Sequence, residues 1–539
     1  VRVSEGLKTT FELLSTTENE AAVWTLIPAL DSPNAAIREG TLAAILRRRS
    51  PAGHRELLRR WHLIDDRTKE VVRGYHSRMV QALRDAVQGN DAQLCANACQ
   101  ASTWFRQYEL ISSLLVVLEN PGNPNGPLAA KTLTELTNSL YAELAEPEDN
   151  QLQRNPQLIR HRVVGDLELA VARFGKHRRR EIINTFVLLV NRDNATFKQI
   201  LMEPHHAAFV PMVEVLSKSA AGGVIRLLLS FLDDPHAPSV ALLVLSKRCD
   251  RKYLEHLLHR VDGEFSAVAK QNLKRITSIL WLQNDLPLLG ELDGAAQRGA
   301  IKLALHSGIP RSQCLAVIAW LLKLGQPEGR RAAAEALQKF GGAEANALAL
   351  AALRDDDPQV QATIIPQLRN RGIPGALPCL VEMVESPHPL VRQAARESLS
   401  EFTFKRFLAA FDMLDDEVRR STGILVKKVD PQTLPLLEAE MASQLRTRRC
   451  RALAIAQSID AVPSLESAIA RLLRDDDSAV RAEAAGVLAE GASQASLEAL
   501  QQALQDRTPS VQEAARRSLC ERAVIPEPWE TAEHEEANP

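Results

Sequence analysis

The sequence predicts an all-α solenoid, a stack of antiparallel helical hairpins. Three observations carry that prediction: a tandem period near 31 residues, apolar residues spaced by three and four on both arms of each unit, and an apolar content dominated by small or straight side chains.

The period is open in the C-terminal half. Leu472-Leu473-Arg474-Asp475-Asp476-Asp477-Ser478-Ala479-Val480-Arg481 is echoed by Leu504-Gln505-Asp506-Arg507-Thr508-Pro509-Ser510-Val511, by Leu353–Val360 and by Ser386–Val391. Taking the valine as a marker, Val480 and Val511 lie 31 residues apart, as do Val360 and Val391. Val418 follows Val391 by 27, and the 62 residues from Val418 to Val480 leave room for one more unit, filled by Arg449-Cys450. Fainter copies stand at Val240 and at Ile37-Arg38.

Within one unit, Leu465, Ala468, Ile469, Leu472 and Leu473 make one helical stripe, and Val480, Ala484, Val487 and Leu488 make a second after an acidic turn. Neither arm buries its stripe alone, so neighbours must stack. Three residues before each marker stands an N-cap residue (Asn34, Asp357, Asp415, Asp477, Thr508), whose side chain is expected to accept from the free N–H groups opening the second helix. Pro358 and Pro509 follow two of these caps at the first helical position, where a missing N–H costs nothing. Leu368, Leu399, Val426, Leu488 and Leu519 all sit eight residues past their marker. The acidic turn with Val480-Arg481-Ala482-Glu483-Ala484-Ala485 and Val391-Arg392-Gln393-Ala394-Ala395 resembles the HEAT-like repeat of the phycobilisome lyase type. The resemblance implies an armadillo-type superhelix and carries almost no information on function.

Composition agrees. Aromatics are 4% of the chain inside an apolar share of 45%, as suits thin layers of paired helices rather than a thick core. A net charge of -2 supplies no global field toward nucleic acid or acidic membranes. Seven scattered cysteines are not a disulfide framework, and point to a reducing, cytoplasmic location. No run approaches the roughly 18 to 20 apolar residues of a membrane span, so no insertion is expected. Val1–Thr10 lacks the apolar core of a signal peptide, although a start at Val1 leaves open a piece of a longer protein. Four blocks are read: 1–145, helical with degenerate repeats; 146–220, irregular after the polar stretch Glu143–Pro156; 221–524, the repeat array; and 525–539, an acidic tail expected to be disordered.

Site candidates are few. The acidic triplets Asp355–Asp357 and Asp475–Asp477 offer oxygen to hard cations, but recurrence at each turn favours capping. Asp357, Arg392, Arg419, Asp477 and Arg481, together with Arg38, are read as a structural ladder between turns. Two basic clusters are candidates for anions or nucleic acid. One is Arg47, Arg48 and Arg49, followed by Arg55, Arg59, Arg60 and Trp61; the other is Arg173, Lys176, His177, Arg178, Arg179 and Arg180. Interleaved Asp65, Asp66, Glu168 and Glu181 favour solvated helix ends instead. Cys95 and Cys99 share a helical face without further zinc ligands, and His205-His206 has no catalytic-metal context. Trp104, Phe105 and Tyr108 read as core, or as a partner contact. Gly222-Gly223 and Gly341-Gly342 are not phosphate loops, and no Gly-x-Ser-x-Gly elbow occurs. No catalytic residue, metal or cofactor is assigned. The expected function is a non-enzymatic scaffold or adaptor for another protein. Nucleic-acid binding through the basic clusters is the alternative, and the bilin handling implied by the lyase resemblance comes third.

Overall fold

A computed structural model describes residues 4–145 and 155–522, and these form α-helices and short 3-10 turns with no strand among them. The residues of the expected tail, and most of the stretch between Glu143 and Pro156, lie outside the described residues. Glu143 itself belongs to a helix, Gly126–Ala145, and accepts hydrogen bonds from Arg106 and Tyr108. The chain divides into two compact units between Val317 and Ile318, inside the helix Arg311–Leu324.

In the second unit the predicted hairpins are plain. Val462–Leu472 and Ser478–Val487 form the unit first recognised in the sequence, with Leu465, Ala468, Ile469, Leu472, Val480, Ala484 and Val487 buried on the facing stripes. Ala343–Ala352 with Pro358–Asn370, Ala376–Met383 with Pro389–Ser398, and Gln494–Ala503 with Pro509–Glu521 repeat the arrangement. Second helices pack on second helices, as Arg446–Ser458 on Ser478–Val487 and Ser478–Val487 on Pro509–Glu521. Of the predicted caps, Asn34, Asp357 and Asp477 accept from backbone N–H groups two residues on. Asp415 and Thr508 hold the cap position without that bond. The Thr508 hydroxyl is engaged elsewhere, accepting from Arg481 Nη2 at 3.0 Å.

The first unit is also two layers of helices. Pro51–Arg59, Ala92–Phe105, Gly126–Ala145, Arg180–Leu189 and Gly222–Ser230 pack in succession as one layer. His76–Gln88, Ile111–Glu119 and Pro156–Ala172 pack in succession in the other. Here the repeat shows in hydrogen bonds more clearly than in sequence. Arg48, with a side chain only 4% exposed, donates to the carbonyls of Leu14, Thr17 and Asn19 at 2.7, 2.7 and 2.9 Å. Arg78 reaches Leu46 O at 2.8 Å, and Arg248 reaches Leu216 O at 2.8 Å and Ser219 O at 2.7 Å. Asn97 and Asn272, both fully buried, donate to Leu58 O and Leu232 O, each at 2.9 Å. In the second unit Arg371 donates to Leu337 O and Phe340 O at 2.6 Å, and Arg522 to Gly491 O. Each donor sits on or beside one helix and satisfies carbonyls at the end of an earlier one, which a helix terminus otherwise leaves without partners.

Two further contacts fix the packing. The helices Arg251–Asp262 and Gly294–His306 approach so closely that a Cβ on Gly299 would stand 2.1 Å from Leu258 O and 2.7 Å from its carbonyl carbon. Backbone cannot yield as a side chain does, so Gly299→Ala is expected to cost about 3 kcal/mol. Hydrogen exchange of the two helices should accelerate in the variant, while the second unit keeps its protection. In the second unit Glu466 accepts from the N–H groups of Ala492 and Ser493, at 2.7 and 3.0 Å, and from the Ser493 hydroxyl. Burial pushes the carboxyl up, but the Ser493 and Ala492 hydrogen bonds outweigh it and hold the group at about 2, against an ordinary 4.5. The depressed value stabilises the fold fully above pH 4.5 and is lost as pH falls toward 2. Glu466→Gln is therefore expected to lower urea resistance at neutral pH, with the gap from wild type closing across that window.

Candidate protein-binding site

The two basic clusters are largely spent on the fold. In the first, Arg48 is the buried carbonyl cap just described, while Arg47 and Arg49 are exposed and Arg49 ends its helix at φ 55. Arg59 pairs with Glu56, and Arg60 with Glu56 and Asp31. Hydrogen bonding to Arg60 draws the Asp31 carboxyl below its ordinary value. Trp61 is buried edge-on against Phe105, 5.3 Å between ring centres, and is closed to a base. In the second cluster Arg173 meets Glu119 at 2.6 Å, Arg180 meets Glu214 at 2.9 Å, and Arg179 Nε donates to Leu118 O at 3.2 Å. His177 is buried, its two ring nitrogens bonded to Ala170 O and the Arg179 N–H. Lys176 and Arg178 are the exposed cations that remain.

The turn residues separate into kinds. Arg481 spans two turns, donating to Asp475 O at 2.9 Å and to both carboxylate oxygens of Asp506 at 2.9 and 3.1 Å. That bond is what draws the Asp506 carboxyl down. Arg330 with Asp355 and Arg449 with Asp475 have the same reach, 25 and 26 residues along the chain. Asp357 meets Arg331 at 2.6 Å, and Asp477 meets Arg446 at 3.6 Å. Arg392 and Arg38 turn back on two carbonyls of their own turns, Ser386 with Pro387 and Ser32 with Pro33. Arg419 bonds Asp416, Phe411 O and Leu414 O, with its guanidinium 4.4 Å from the Phe411 ring centre.

Among the described residues no three His, Cys, Asp or Glu side chains converge as a metal site. Cys95 and Cys99 are buried side by side, where the neighbouring thiol and desolvation push Cys95 up. His206 is taken up in a turn, its Nδ1 accepting from the Ala208 N–H. Phe105 is core, Tyr108 donates to Glu143 at 2.7 Å, and the half-buried Trp104 carries the Lys69 ammonium 5.3 Å from its ring centre. No single described helix is long and apolar enough to cross a membrane.

A different place gathers polar side chains that the fold uses only in part or not at all. Along Arg180–Leu189 runs a trough walled by Gly126–Ala145 on one side and by Phe209–Lys218 and Gly222–Ser230 on the other. Its first stretch, about 420 Å³, is lined by Asn138, Asn184 and Lys218 over Leu188, Val215 and Val224. The second stretch, about 430 Å³, shares Leu188 and is lined by Tyr141, Arg160, Arg192, Gly223 and Arg226. A third, about 260 Å³, shares Arg160 and adds His161 and Asn194. Gly223 lets this form: a Cβ there would meet the Tyr141 ring at 2.6 Å. The Arg226 guanidinium lies 5.4 Å from the Tyr141 ring centre and donates to its hydroxyl. Arg160 Nε donates to Leu189 O at 2.7 Å, and Arg192 Nη1 to Ser230 O at 2.8 Å, so helix ends hold both heads in place. Among the described residues Arg160 and Arg226 have no carboxylate partner, and Asn138, Asn184 and Lys218 have no side-chain hydrogen bond. Of the binding candidates read from the sequence only Arg180 lies here, and Gly223 is read there only as part of a glycine pair; the rest are dispersed over 134–230 with no local pattern.

A family model described as HEAT repeats matches residues 346–425. The match is to HEAT repeats at large and does not single out the phycobilisome lyase type. No curated protein matches. Among solved structures the chain is similar to importin beta, at 14% identity over 98% of this chain and 83% of that one, with a TM-score of 0.26. It is also similar to a Kap95:Nup1 complex (11% identity, 97% and 82% covered, TM-score 0.24) and to a homology model of the full-length AP-3 complex (13%, 95% and 93%, 0.36). The solenoid fold stands on its own helices rather than on these likenesses.

The clusters predict opposite responses. Arg48→Met leaves the Leu14 and Thr17 carbonyls without their donor and is expected to cost about 3 kcal/mol. Replacing Arg47 and Arg49 together by Ala should leave urea unfolding within about 0.5 kcal/mol of wild type.

Proposed function

We propose that this chain is a non-enzymatic scaffold that binds another protein on its helical-repeat surface. The trough along Arg180–Leu189 carries the reading: among the described residues the side chains of Asn138, Asn184 and Lys218 make no hydrogen bond, and Arg160 and Arg226 have no carboxylate partner. A stacked-repeat protein can vary such exposed positions without disturbing its buried stripes, which is why solenoids lend themselves to binding extended partners. A trough of several hundred Å³ with an apolar floor and a few polar groups has the make-up of a recognition site. Among the described residues no nucleophile, base and orienting group converge there, and the HEAT-repeat match indicates no catalytic family.

Nucleic-acid binding through the basic clusters draws less support. Arg48, Arg60, Arg173 and Arg180 are committed to carbonyls or carboxylates inside the chain. The net charge of -2 adds no long-range attraction for phosphates. Crosslinking with a photoreactive amino acid at the exposed position 184 tests the proposal. It is expected to capture a defined protein, and to lose it when the group is moved to exposed Asp476 in the second unit. Failure to enrich any protein over that control would remove the scaffold reading.

A further inference from the structure

We infer that the trough takes an extended acidic segment of a partner protein, its main chain on Asn138 and Asn184 and its carboxylates on Arg160, Arg192 and Arg226. The inference rests on the scaffold reading and adds the chemistry of the partner. Three facts converge on it.

The first is charge. The second stretch of the trough brings three arginines into one lining, and Asp193, 3.7 Å from Arg192, is the one carboxylate among its described lining residues. Arg160 is half-buried with no carboxylate partner among the described residues, and desolvation draws its pKa below the usual arginine value. A cation held out of water without a counter-ion gains when a carboxylate arrives, and the planar guanidinium suits that carboxylate's two oxygens. Arg226 is held over Tyr141 of the facing wall, and Arg160 and Arg192 are anchored by helix-end carbonyls. These heads are preorganised, so little side-chain freedom is lost on binding.

The second is the amide-lined stretch, where Glu214 is already paired with Arg180. Asn138 and Asn184 stand on neighbouring helices of one layer, both exposed to the trough. Each amide offers a donor and an acceptor, the pair that a peptide unit matches whatever its side chain. Leu188, Val215 and Val224 beneath them accept a small apolar side chain.

The third is length. The ten residues of Arg180–Leu189 rise about 15 Å along the trough, and an extended chain advances about 3.3 Å per residue. About five residues of a partner therefore pass from the amides to the arginines.

The test uses the full chain and a fluorescein-labelled peptide of alternating Glu and Ala, with Gln–Ala and Lys–Ala peptides beside it, read by anisotropy. The Glu–Ala peptide alone should bind, more weakly as salt rises. Arg160 and Arg192 also hold helix ends, so the deciding variants are at exposed positions. Arg226→Glu and Asn184→Asp should each weaken binding roughly ten-fold, and Asn184→Lys should tighten it. Circular dichroism checks that each variant keeps its helix content. Equal binding of the Gln–Ala peptide, or no response to the charge changes, would overturn the inference. So would a single-stranded oligonucleotide that displaces the peptide and shows the same variant profile, since the site would then read phosphate. Repeating the crosslinking capture with Arg226→Glu separates the two readings. A partner retained undiminished sinks the acidic-segment inference and leaves the scaffold standing, whereas no partner in the wild type sinks the scaffold reading.

Discussion

Every helix ends with carbonyls that its own backbone cannot satisfy, and a chain made of many short helices multiplies that cost. Here donors arriving from a neighbouring repeat meet it. Arg48, Arg78, Arg248, Arg371 and Arg522 each cap a helix end that precedes them by 31 or 32 residues. A guanidinium suits the task because it carries several donors and a charge that the negative end of the helix dipole attracts. Hydrophobic stripes explain why the hairpins stack. The caps explain why they stack in one register, because a slip along the helix would leave both a buried cation and its carbonyls without partners.

What the sequence disclosed follows from how local each signal is. Val480 and its stripe, the Asp357 and Asp477 caps and the acidic turns are contained within one unit, and the fold class could be read from them. The register of the first unit could not, because the marker is faint there, at Ile37 and Val240, and the recurring element is a single cap donor. A usable trace did exist. Arg48, Arg371 and Arg522 each stand eleven residues after a marker (Ile37, Val360, Val511), about three helical turns along the same face. The basic clusters misled for a related reason. A run of charges shows in sequence, but its partners do not: Glu119 lies 54 residues from Arg173, and the carbonyls bound by Arg48 are about thirty away. Thr508 sits at a cap position, yet its hydroxyl serves Arg481 across the turn.

The trough is a by-product of the same capping rule. Arg160 reaches the end of Arg180–Leu189, and Arg192 reaches the end of Gly222–Ser230. Stacking has thus already fixed the position of two of the three cations in its second stretch. Arg226 joins them through Tyr141, whose ring fits only because residue 223 lacks a side chain. On the proposed reading, the same guanidinium groups serve structure and recognition, one edge turned to the fold and the rest to the trough. Asking whether such an arginine is structural or functional would then miss it.

The order of the caps also bears on how the chain acquires its structure as it is made. A ribosome adds about 5–20 residues per second, so a donor 31 residues downstream is synthesised about 2–6 seconds after the helix end it will cap. A helix end capped in this way therefore waits, stacked at most on what came before, until its successor emerges and closes its exposed carbonyls, whereas Leu189 and Ser230 meet donors already made. Consolidation travels along the nascent polypeptide one repeat behind synthesis, and a pause in translation just before Arg48 or Arg248 would prolong the interval in which a half-closed repeat is open to chaperones and proteases.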